Sequence, residues 1–280
     1  MLFSTDHISS TRITTTLVLA AVVGCGVDPR TTEQQSELHR AVRRSGLTGA
    51  LQLDVPGFPP AAQFVAGFTV ERPGDLTCQF RRQVGPCQVE VCQDASSVRF
   101  YSAGDVTIAG GNGDPVVLPG TNPTRKYDEV SLPGARWTAN DLVTTSAAGG
   151  EVPAFSLTQR FPQRLAFSQP DLAAPVLLDP AVGLEVSWTA DDVAPVNTAA
   201  VINLLEERPE IGTGGSAHAR CTFDARAGHA LVPGAVLAHF TTSEIAILLT
   251  SQTLGSTRAG RFGVQAFAFD VVGLGLGAVR

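Results

Sequence analysis

The stretch Leu184-Glu185-Val186-Ser187-Trp188 alternates apolar and polar residues one by one. Successive side chains of a β-strand point to opposite faces, so this pattern predicts a strand with one buried and one solvated face. The same period of two recurs from Leu47 onward, at Leu51/Leu53/Val55, Phe64/Ala66/Phe68/Val70, Leu76/Cys78/Phe80, Cys87/Val89/Val91, Val106/Ile108, Val116/Leu118, Phe155/Leu157, Val176/Leu178, Ala219/Cys221/Phe223 and Phe262/Val264/Ala266. The chain is therefore predicted to be all-β.

Glycine and proline separate these runs. The 280 residues include 28 Gly and 18 Pro, spread along the chain, as expected for many short strands joined by tight turns. A stretch of about 115 residues with roughly seven strands and an early Trp fits one immunoglobulin-like β-sandwich. We therefore predict two tandem immunoglobulin-like β-sandwich domains, at residues 47–162 and 163–280.

The N-terminus has the order of an export signal. Arg12 is followed by an uncharged, mostly apolar run from Ile13 to Val23 and then by the small residue Gly24. This order predicts a signal peptide at residues 1–24. The run is shorter than the roughly 20 apolar residues that a spanning helix needs. Residues 25–46 are polar, and we predict a flexible spacer there.

The residues Val22-Val23-Gly24-Cys25 resemble the lipobox of bacterial lipoproteins, in which a small residue precedes a Cys that is diacylated and becomes the new N-terminus. The resemblance implies a covalent lipid on Cys25 that anchors the protein to a membrane; we expect no other cofactor. In that family an Asp after the Cys marks inner-membrane retention, and Gly26 stands there instead, so the outer membrane is favoured. The alternative is an ordinary secretory signal with an unmodified Cys25.

The mature part of the chain resembles predicted bacterial lipoproteins of unknown function with tandem immunoglobulin-like domains. The motifs that carry the resemblance are Gly85-Pro86-Cys87 followed by Cys92, Ser146-Ala147-Ala148-Gly149-Gly150 leading to Val152-Pro153-Ala154-Phe155, and Cys221-Thr222-Phe223-Asp224-Ala225 leading to Ala227-Gly228 and Val232-Pro233. The resemblance implies the fold, but it brings no activity with it.

Four cysteines remain when Cys25 is set aside: Cys78, Cys87, Cys92 and Cys221. An even number in an exported protein suggests disulfides. Strand parity places Cys78 and Cys87 on inward faces and Cys92 on the opposite face. We therefore predict the bonds Cys78–Cys87 and Cys92–Cys221; the alternative is a Cys78–Cys92 bond with Cys87 and Cys221 free.

Few residues suggest chemistry. His218, His229 and His239 lie near Cys221, but their spacing matches no closed zinc site, so we predict no metal. The sequence contains no G-x-S-x-G, H-E-x-x-H or P-loop motif, and we expect no enzymatic activity. We expect Tyr101, Tyr127 and Trp137 to pack in the core or in loops; the alternative is an aromatic platform for a glycan on the first domain.

Charge narrows the class of partner. The formal net charge is −6, and it is unchanged by removal of residues 1–24, which contain one Arg and one Asp. An acidic protein lacks the electrostatic attraction that nucleic-acid binding requires. We therefore expect a membrane-anchored envelope lipoprotein that serves as a non-enzymatic structural or protein-interaction module. The alternative is a glycan or cell-wall binding module; a third hypothesis is an uncharacterised hydrolase or accessory subunit.

Overall fold

The computed structural model describes residues 43–53, 60–71, 78–92, 99–120, 123–190, 198–208, 215–241 and 244–280. These residues form strands throughout, apart from turns, one turn of 3-10 helix at Ala225–Ala227 and the short helix α1 at Gly234–Leu237. The strands are β1 (Arg43–Leu53), β2 (Ala61–Glu71), β3 (Cys78–Val84), β4 (Cys87–Cys92), β5 (Arg99–Phe100), β6 (Val106–Ala109), β7 (Val116–Leu118), β8 (Val130–Pro133), β9 (Leu142–Ala147), β10 (Phe155–Arg160), β11 (Leu165–Gln169), β12 (Val176–Leu178), β13 (Leu184–Ala190), β14 (Ala199–Arg208), β15 (Gly215–Asp224), β16 (His229–Val232), β17 (Ile245–Ala259) and β18 (Phe262–Val279). The all-β prediction is confirmed.

One large sheet organises the molecule. Its order is β3-β4-β15-β14-β17-β18-β1-β2-β5, with β12 beside β18 and β8 beside β2. Neighbours are antiparallel, except that β1 and β12 both run parallel to β18. The other strands form a four-stranded sheet, β10-β9-β6-β7, and a three-stranded sheet, β11-β13-β16.

Each small sheet packs on the same face of the large sheet, which we call the outer face. The four-stranded sheet encloses a first core with the large sheet, which includes Phe64, Phe68, Ile108, Val143 and Phe155. The three-stranded sheet encloses a second core, which includes Val186, Trp188, Ile202, Leu204 and Ile247. The protein is thus a pair of β-sandwiches that share one sheet.

The two sandwiches are not successive stretches of chain, which corrects the predicted division at residues 162 and 163. The first core contains Phe262 and Val264 from the end of the chain, and the second contains Cys87 and Val89 from its first half. Cys87 and Val89 reach the second core because β4 pairs with β15. Phe262 and Val264 reach the first core because of strand length: β17 has 15 residues and β18 has 18, beyond the usual range of about 3–10. Each therefore crosses from one sandwich to the other.

Strand β1 begins at Arg43, so the predicted spacer of residues 25–46 ends four residues earlier than expected. The polar composition of residues 43–46 gives no sign of a strand. Backbone pairing with β18 on one side and β2 on the other places these residues in β1. Ser45 pairs with Gly263 of β18 and with Thr69 of β2. The predicted signal peptide and the rest of the spacer lie outside the described residues.

Two short connections require the large sheet to be curled. Residues 72–77 join β2 to β3, and residues 93–98 join β4 to β5. In the sheet order each connection joins strands seven positions apart. In a flat sheet seven spacings of about 4.8 Å would separate these strands by about 34 Å, whereas seven residue steps reach at most about 25 Å. The sheet therefore bends back on itself.

The concave side of this curl is the inner face, opposite the face that carries the small sheets. Its apolar cluster consists of seven buried side chains, all from the large sheet: Leu51, Leu205, Ala246, Leu248, Phe267, Phe269 and Val271. Phe267 and Phe269 lie together, with ring centroids 4.6 Å apart. This third core forms as the sheet curls over its own apolar stripe.

A disulfide joins Cys87 of β4 to Cys221 of β15, and both residues are fully buried. The predicted bonds Cys78–Cys87 and Cys92–Cys221 are therefore wrong, and so is the alternative's assignment of Cys87 and Cys221 as free thiols. In the register, the turn at Gly85-Pro86 places Cys87 opposite Val84, while β15 places Cys221 directly opposite Cys87. Strand parity correctly predicted that the side chain of Cys87 faces a core. Parity gives no information about which strand lies beside β4.

We predict a second disulfide between Cys78 and Cys92, which are register partners in the β3–β4 hairpin. Directly opposed residues of an antiparallel pair have Cβ atoms about 4.5–5.5 Å apart, close to the separation of about 3.5–4.5 Å in a disulfide. Peptide mapping without reduction should recover Cys78–Cys92 and Cys87–Cys221 as linked peptides. Recovery of a Cys78–Cys87 peptide would contradict both the register and this prediction.

We further predict that the double substitution Cys87→Ala and Cys221→Ala lowers the free energy of unfolding by about 2–5 kcal/mol in urea titrations. The bond closes a loop with a sequence separation of 134 residues, which restricts the unfolded chain strongly. The matched control is Cys78→Ala with Cys92→Ala, which opens a much shorter loop. In the loop-entropy model the two losses are roughly 5 and roughly 3 kcal/mol. A larger loss for the control pair would contradict the prediction.

Candidate functional site

Charged and polar side chains line one part of the inner face. On β15, Ala217, Ala219 and Cys221 face the second core, so the alternate residues His218 and Arg220 face inward. On β4 the same alternation places Gln88 and Glu90 on the inner face. We call Gln88, Glu90, His218 and Arg220 the inner polar set. His218 and Glu90 are register partners, as are Arg220 and Gln88.

Contacts within the sheet hold these groups. The guanidinium of Arg220 donates a hydrogen bond to Oε1 of Gln252 and lies 5.7 Å from the centroid of the Phe269 ring. Gln88 donates from Nε2 to Oε1 of Glu90 at 2.6 Å. Glu90, His218 and Arg220 are all buried. Moving a charged group out of water costs free energy unless the group is paired or hydrogen-bonded. Because these side chains are buried, they need contacts of this kind.

His218 is neutral at neutral pH. Burial lowers its pKa to about 4, and the positive charge of Arg220 lowers it in the same direction. An imidazole with this pKa is a weak base at neutral pH, and the side chain is only 6% exposed. The three ionisable members of the inner polar set, Glu90, His218 and Arg220, are thus withdrawn from solvent, whereas Gln88 is half-buried.

The lowered pKa predicts a dependence of stability on pH. The unfolded state, with a His pKa of about 6.5, binds more protons than the folded state between pH 6.5 and 4. The stabilisation is complete above about pH 6.5 and is lost as the pH falls towards 4. We expect this group alone to make the free energy of unfolding about 2 kcal/mol lower at pH 5 than at pH 7.5.

The variant His218→Gln should abolish this part of the pH dependence in urea titrations at the two pH values. His229→Gln is the matched control, because His229 is exposed on β16 and its substitution should leave the dependence as it is. An unchanged slope in His218→Gln would contradict the assignment.

The three aromatic side chains contact the first core, and Trp137 is buried in it. Trp137 is 3% exposed and stacks on Phe161 in the first core, with centroids 5.3 Å apart. Tyr101 is half-buried, edge-on to Phe262. The hydroxyl of Tyr127 donates to the carbonyl of Gly104 and accepts from the N–H of Ala103. These rings pack against the first core, and Trp137 is unable to stack on a ligand.

The three histidines lie on different elements. His218 is on the inner face, His229 is on the open side of the three-stranded sheet, and His239 follows α1. Cys221 would have to be a free thiolate to bind zinc with them, but its sulfur is in the Cys87–Cys221 disulfide. In the part of the chain that the structure describes, no group of three or more His, Cys, Asp or Glu residues is placed to hold a metal ion. Cys25 lies outside the described residues.

A surface that the strand pattern did not single out lies on the open side of the four-stranded sheet. Its central residues all carry hydroxyl groups, and we call them the hydroxyl face: Thr107, Thr144, Ser146, Ser156 and Thr158. They form two rows in register, Ser156–Ser146–Thr107 and Thr158–Thr144. All five are exposed or half-buried. The sequence signal was available, because Thr144-Thr145-Ser146 and Ser156-Leu157-Thr158 place hydroxyls at alternate positions.

Comparison with known proteins adds little. No protein-family model matches the chain, and no curated protein matches it. Among solved structures, the chain aligns with the FN1–FN3 domains of chicken CNTN1, fibronectin type III domains of contactin, at 7% sequence identity. The alignment covers 76% of this chain and 75% of that chain with a TM-score of 0.17, too low to support any argument. The fold assignment therefore rests on the sheets and cores described above.

Proposed function

We propose that the protein is a lipid-anchored module of the bacterial envelope that works by binding and not by catalysis. The observation that carries the proposal is the Cys87–Cys221 disulfide. Disulfides form and persist in oxidising compartments outside the cytosol. A buried cross-link between two neighbouring strands of the large sheet therefore supports export, as the predicted signal peptide does. If Cys78 and Cys92 also form a bond, Cys25 is the cysteine left for the anchor.

The position of Cys25 suits a tether. It precedes Arg43, where β1 begins, by 18 residues, which reach at most about 65 Å when extended. This length lets the paired sandwiches stand clear of a membrane surface to which Cys25 is attached. Gly26 in place of Asp favours the outer membrane. Within the described ranges, no helix has the length and hydropathy needed to cross a bilayer.

A binding role is favoured by where the polar groups lie. Glu90, His218 and Arg220 are buried inside the curled sheet, so these ionisable groups have little access to a substrate. The open sides of the two small sheets face solvent instead, with exposed Val117 and Leu142 on the four-stranded sheet and Leu231 on the three-stranded one. A partner would meet these open sides of the small sheets first.

The anchor is tested with Cys25→Ser. The unmodified protein should sediment with membranes and incorporate labelled fatty acid, and globomycin should leave an uncleaved precursor. Cys25→Ser should incorporate no label and should accumulate as the uncleaved precursor, because the thiol that carries the acyl chains is missing. Cys78→Ser is the control and should stay anchored. Normal processing under globomycin, or incorporation of labelled fatty acid into Cys25→Ser, would refute the anchor.

A further inference from the structure

The turn between β6 and β7 contains the sequence Gly110-Gly111-Asn112-Gly113-Asp114. Asn112 and Gly113 are both exposed. Of the five Asn residues in the chain, Asn112 alone is followed by Gly. The backbone nitrogen of the next residue attacks an Asn side-chain amide most readily when that residue is Gly, because Gly has no Cβ to hinder the approach and its backbone bends freely. The turn therefore holds the pair of residues best suited to this reaction.

The two groups that would react are not held by hydrogen bonds. In the described part of the chain, neither the side-chain amide of Asn112 nor the backbone N–H of Gly113 makes a hydrogen bond. The backbone N–H of Asn112 donates to the carbonyl of Arg136 at 2.8 Å, so the residue is fixed on one side only. Gly113 has a φ of +107°, which Gly adopts readily. The nitrogen of Gly113 and the side-chain carbon Cγ of Asn112 are thus free to approach each other.

The other asparagines lack this combination. Asn140 is followed by Asp141, whose backbone N–H donates to the carbonyl of Thr138 at 3.1 Å. Asn203 is 3% exposed and lies in β14, which pairs with β15 on one side and β17 on the other. The remaining two stand in the sequence before residues that hinder the attack, namely Pro123 after Asn122 and the β-branched Thr198 after Asn197.

We propose that Asn112 is a site of spontaneous deamidation, at which the chain modifies itself without an enzyme. The nitrogen of Gly113 bonds to Cγ of Asn112 and loses its proton, while the side-chain amide nitrogen leaves as ammonia, which closes a succinimide ring. Water then opens the ring. Attack of water on Cγ gives an ordinary aspartate. Attack on the backbone carbonyl carbon gives an isoaspartate, in which the main chain runs through Cβ and Cγ.

The turn that carries this site also holds a buried cation. Arg136 is 7% exposed, and its guanidinium donates from Nε to the carbonyl of Gly110 at 3.3 Å and from Nη2 to the carbonyl of Asp114. These two carbonyls lie on either side of Asn112 and Gly113 in the chain. The fit is close, because a Cβ on Gly113 would lie 3.3 Å from Nη1 of Arg136. Isoaspartate adds one main-chain atom between the two carbonyls and so changes their spacing around the guanidinium.

Arg136 connects the turn to the large sheet. Its guanidinium carbon lies 5.5 Å from the centroid of the Phe64 ring on β2. Its backbone N–H donates to Oε1 of Gln52 on β1 at 2.9 Å. A buried charge that loses its hydrogen-bond acceptors costs free energy, so the isoaspartyl form should melt at a lower temperature than the unmodified protein. The aspartyl form keeps the spacing of the main chain and should melt close to the unmodified protein.

The test incubates the full chain in detergent in mildly alkaline buffer and then analyses its peptides by mass spectrometry. The peptide that contains Asn112 should gain the mass difference between an amide and an acid and separate into two chromatographic species. One of these should be methylated by protein isoaspartate methyltransferase. Because only Asn112 precedes Gly, we expect deamidation there to be about tenfold faster, or more, than at Asn140 and Asn203 in the same digests.

Two variants serve as controls. Asn112→Gln keeps the amide but must close a larger ring, so it should remain unmodified and keep its melting temperature after incubation. Asn112→Asp has the new charge without the extra main-chain atom, so it separates the effect of the charge from that of the main chain. The isoaspartyl fraction, isolated by ion exchange, should melt below Asn112→Asp.

Two results would overturn the proposal. The first is an unmodified Asn112 in the folded protein under conditions in which a synthetic peptide of residues 110–115 is deamidated, because the fold would then protect the site. The second is release of ammonia by Asn112→Gln at the rate of the unmodified protein, because the reaction would then occur elsewhere. The effect on the turn around Arg136 is refuted separately if the isoaspartyl fraction and Asn112→Asp melt at the same temperature.

Discussion

The pairing of β17 with β18 joins the two sandwiches. It extends from Ile245 opposite Gly277 to Ala259 opposite Phe262, with a single irregularity after Leu249. Along the outer face this hairpin supplies Ile247 to the second core and Phe262 to the first. The two sandwiches can separate only if this central ladder breaks, and breaking it would expose backbone groups that are otherwise paired. The third core, which includes Phe267 and Phe269, also takes most of its side chains from these two strands.

Register governs what the curl of the sheet encloses. A shift of one residue between β4 and β15 would exchange the faces of their side chains: His218 and Arg220 would enter the apolar second core, and Ala219 would replace them inside the curl. The Cys87–Cys221 disulfide lies in the same strand pair as the opposed residues Glu90 and His218. A covalent bond between directly opposed residues therefore fixes the register on which the burial of these ionisable groups depends.

The large sheet is mostly buried, and the solvent-facing surfaces are provided by the two small sheets. The curl and the two small sheets bury both faces of much of the large sheet, so the solvated faces belong mainly to the small sheets. Of these, the four-stranded sheet carries the uncharged hydroxyl face. It belongs to the sandwich at the end of the large sheet where β1 starts, since Ser45 pairs with Gly263 beside the β17–β18 turn. Arg43, where β1 begins, therefore lies at the end of the molecule that carries the hydroxyl face.

Local alternation in the sequence predicted most of the strands and their buried faces, although not the short strands β5 and β8. The alternation of Leu184, Val186 and Trp188 correctly identified a strand with these three side chains in a core, because the period of two is a local property of the backbone. Which strands become neighbours was decided only by tertiary structure. Nothing near Cys87 in the sequence indicates that Cys221 lies opposite it, nor does β18 reveal that it serves two cores. Pairing depends on backbone groups that every residue carries alike, so the partners of a strand are set by how the whole sheet closes and not by the residues of that strand.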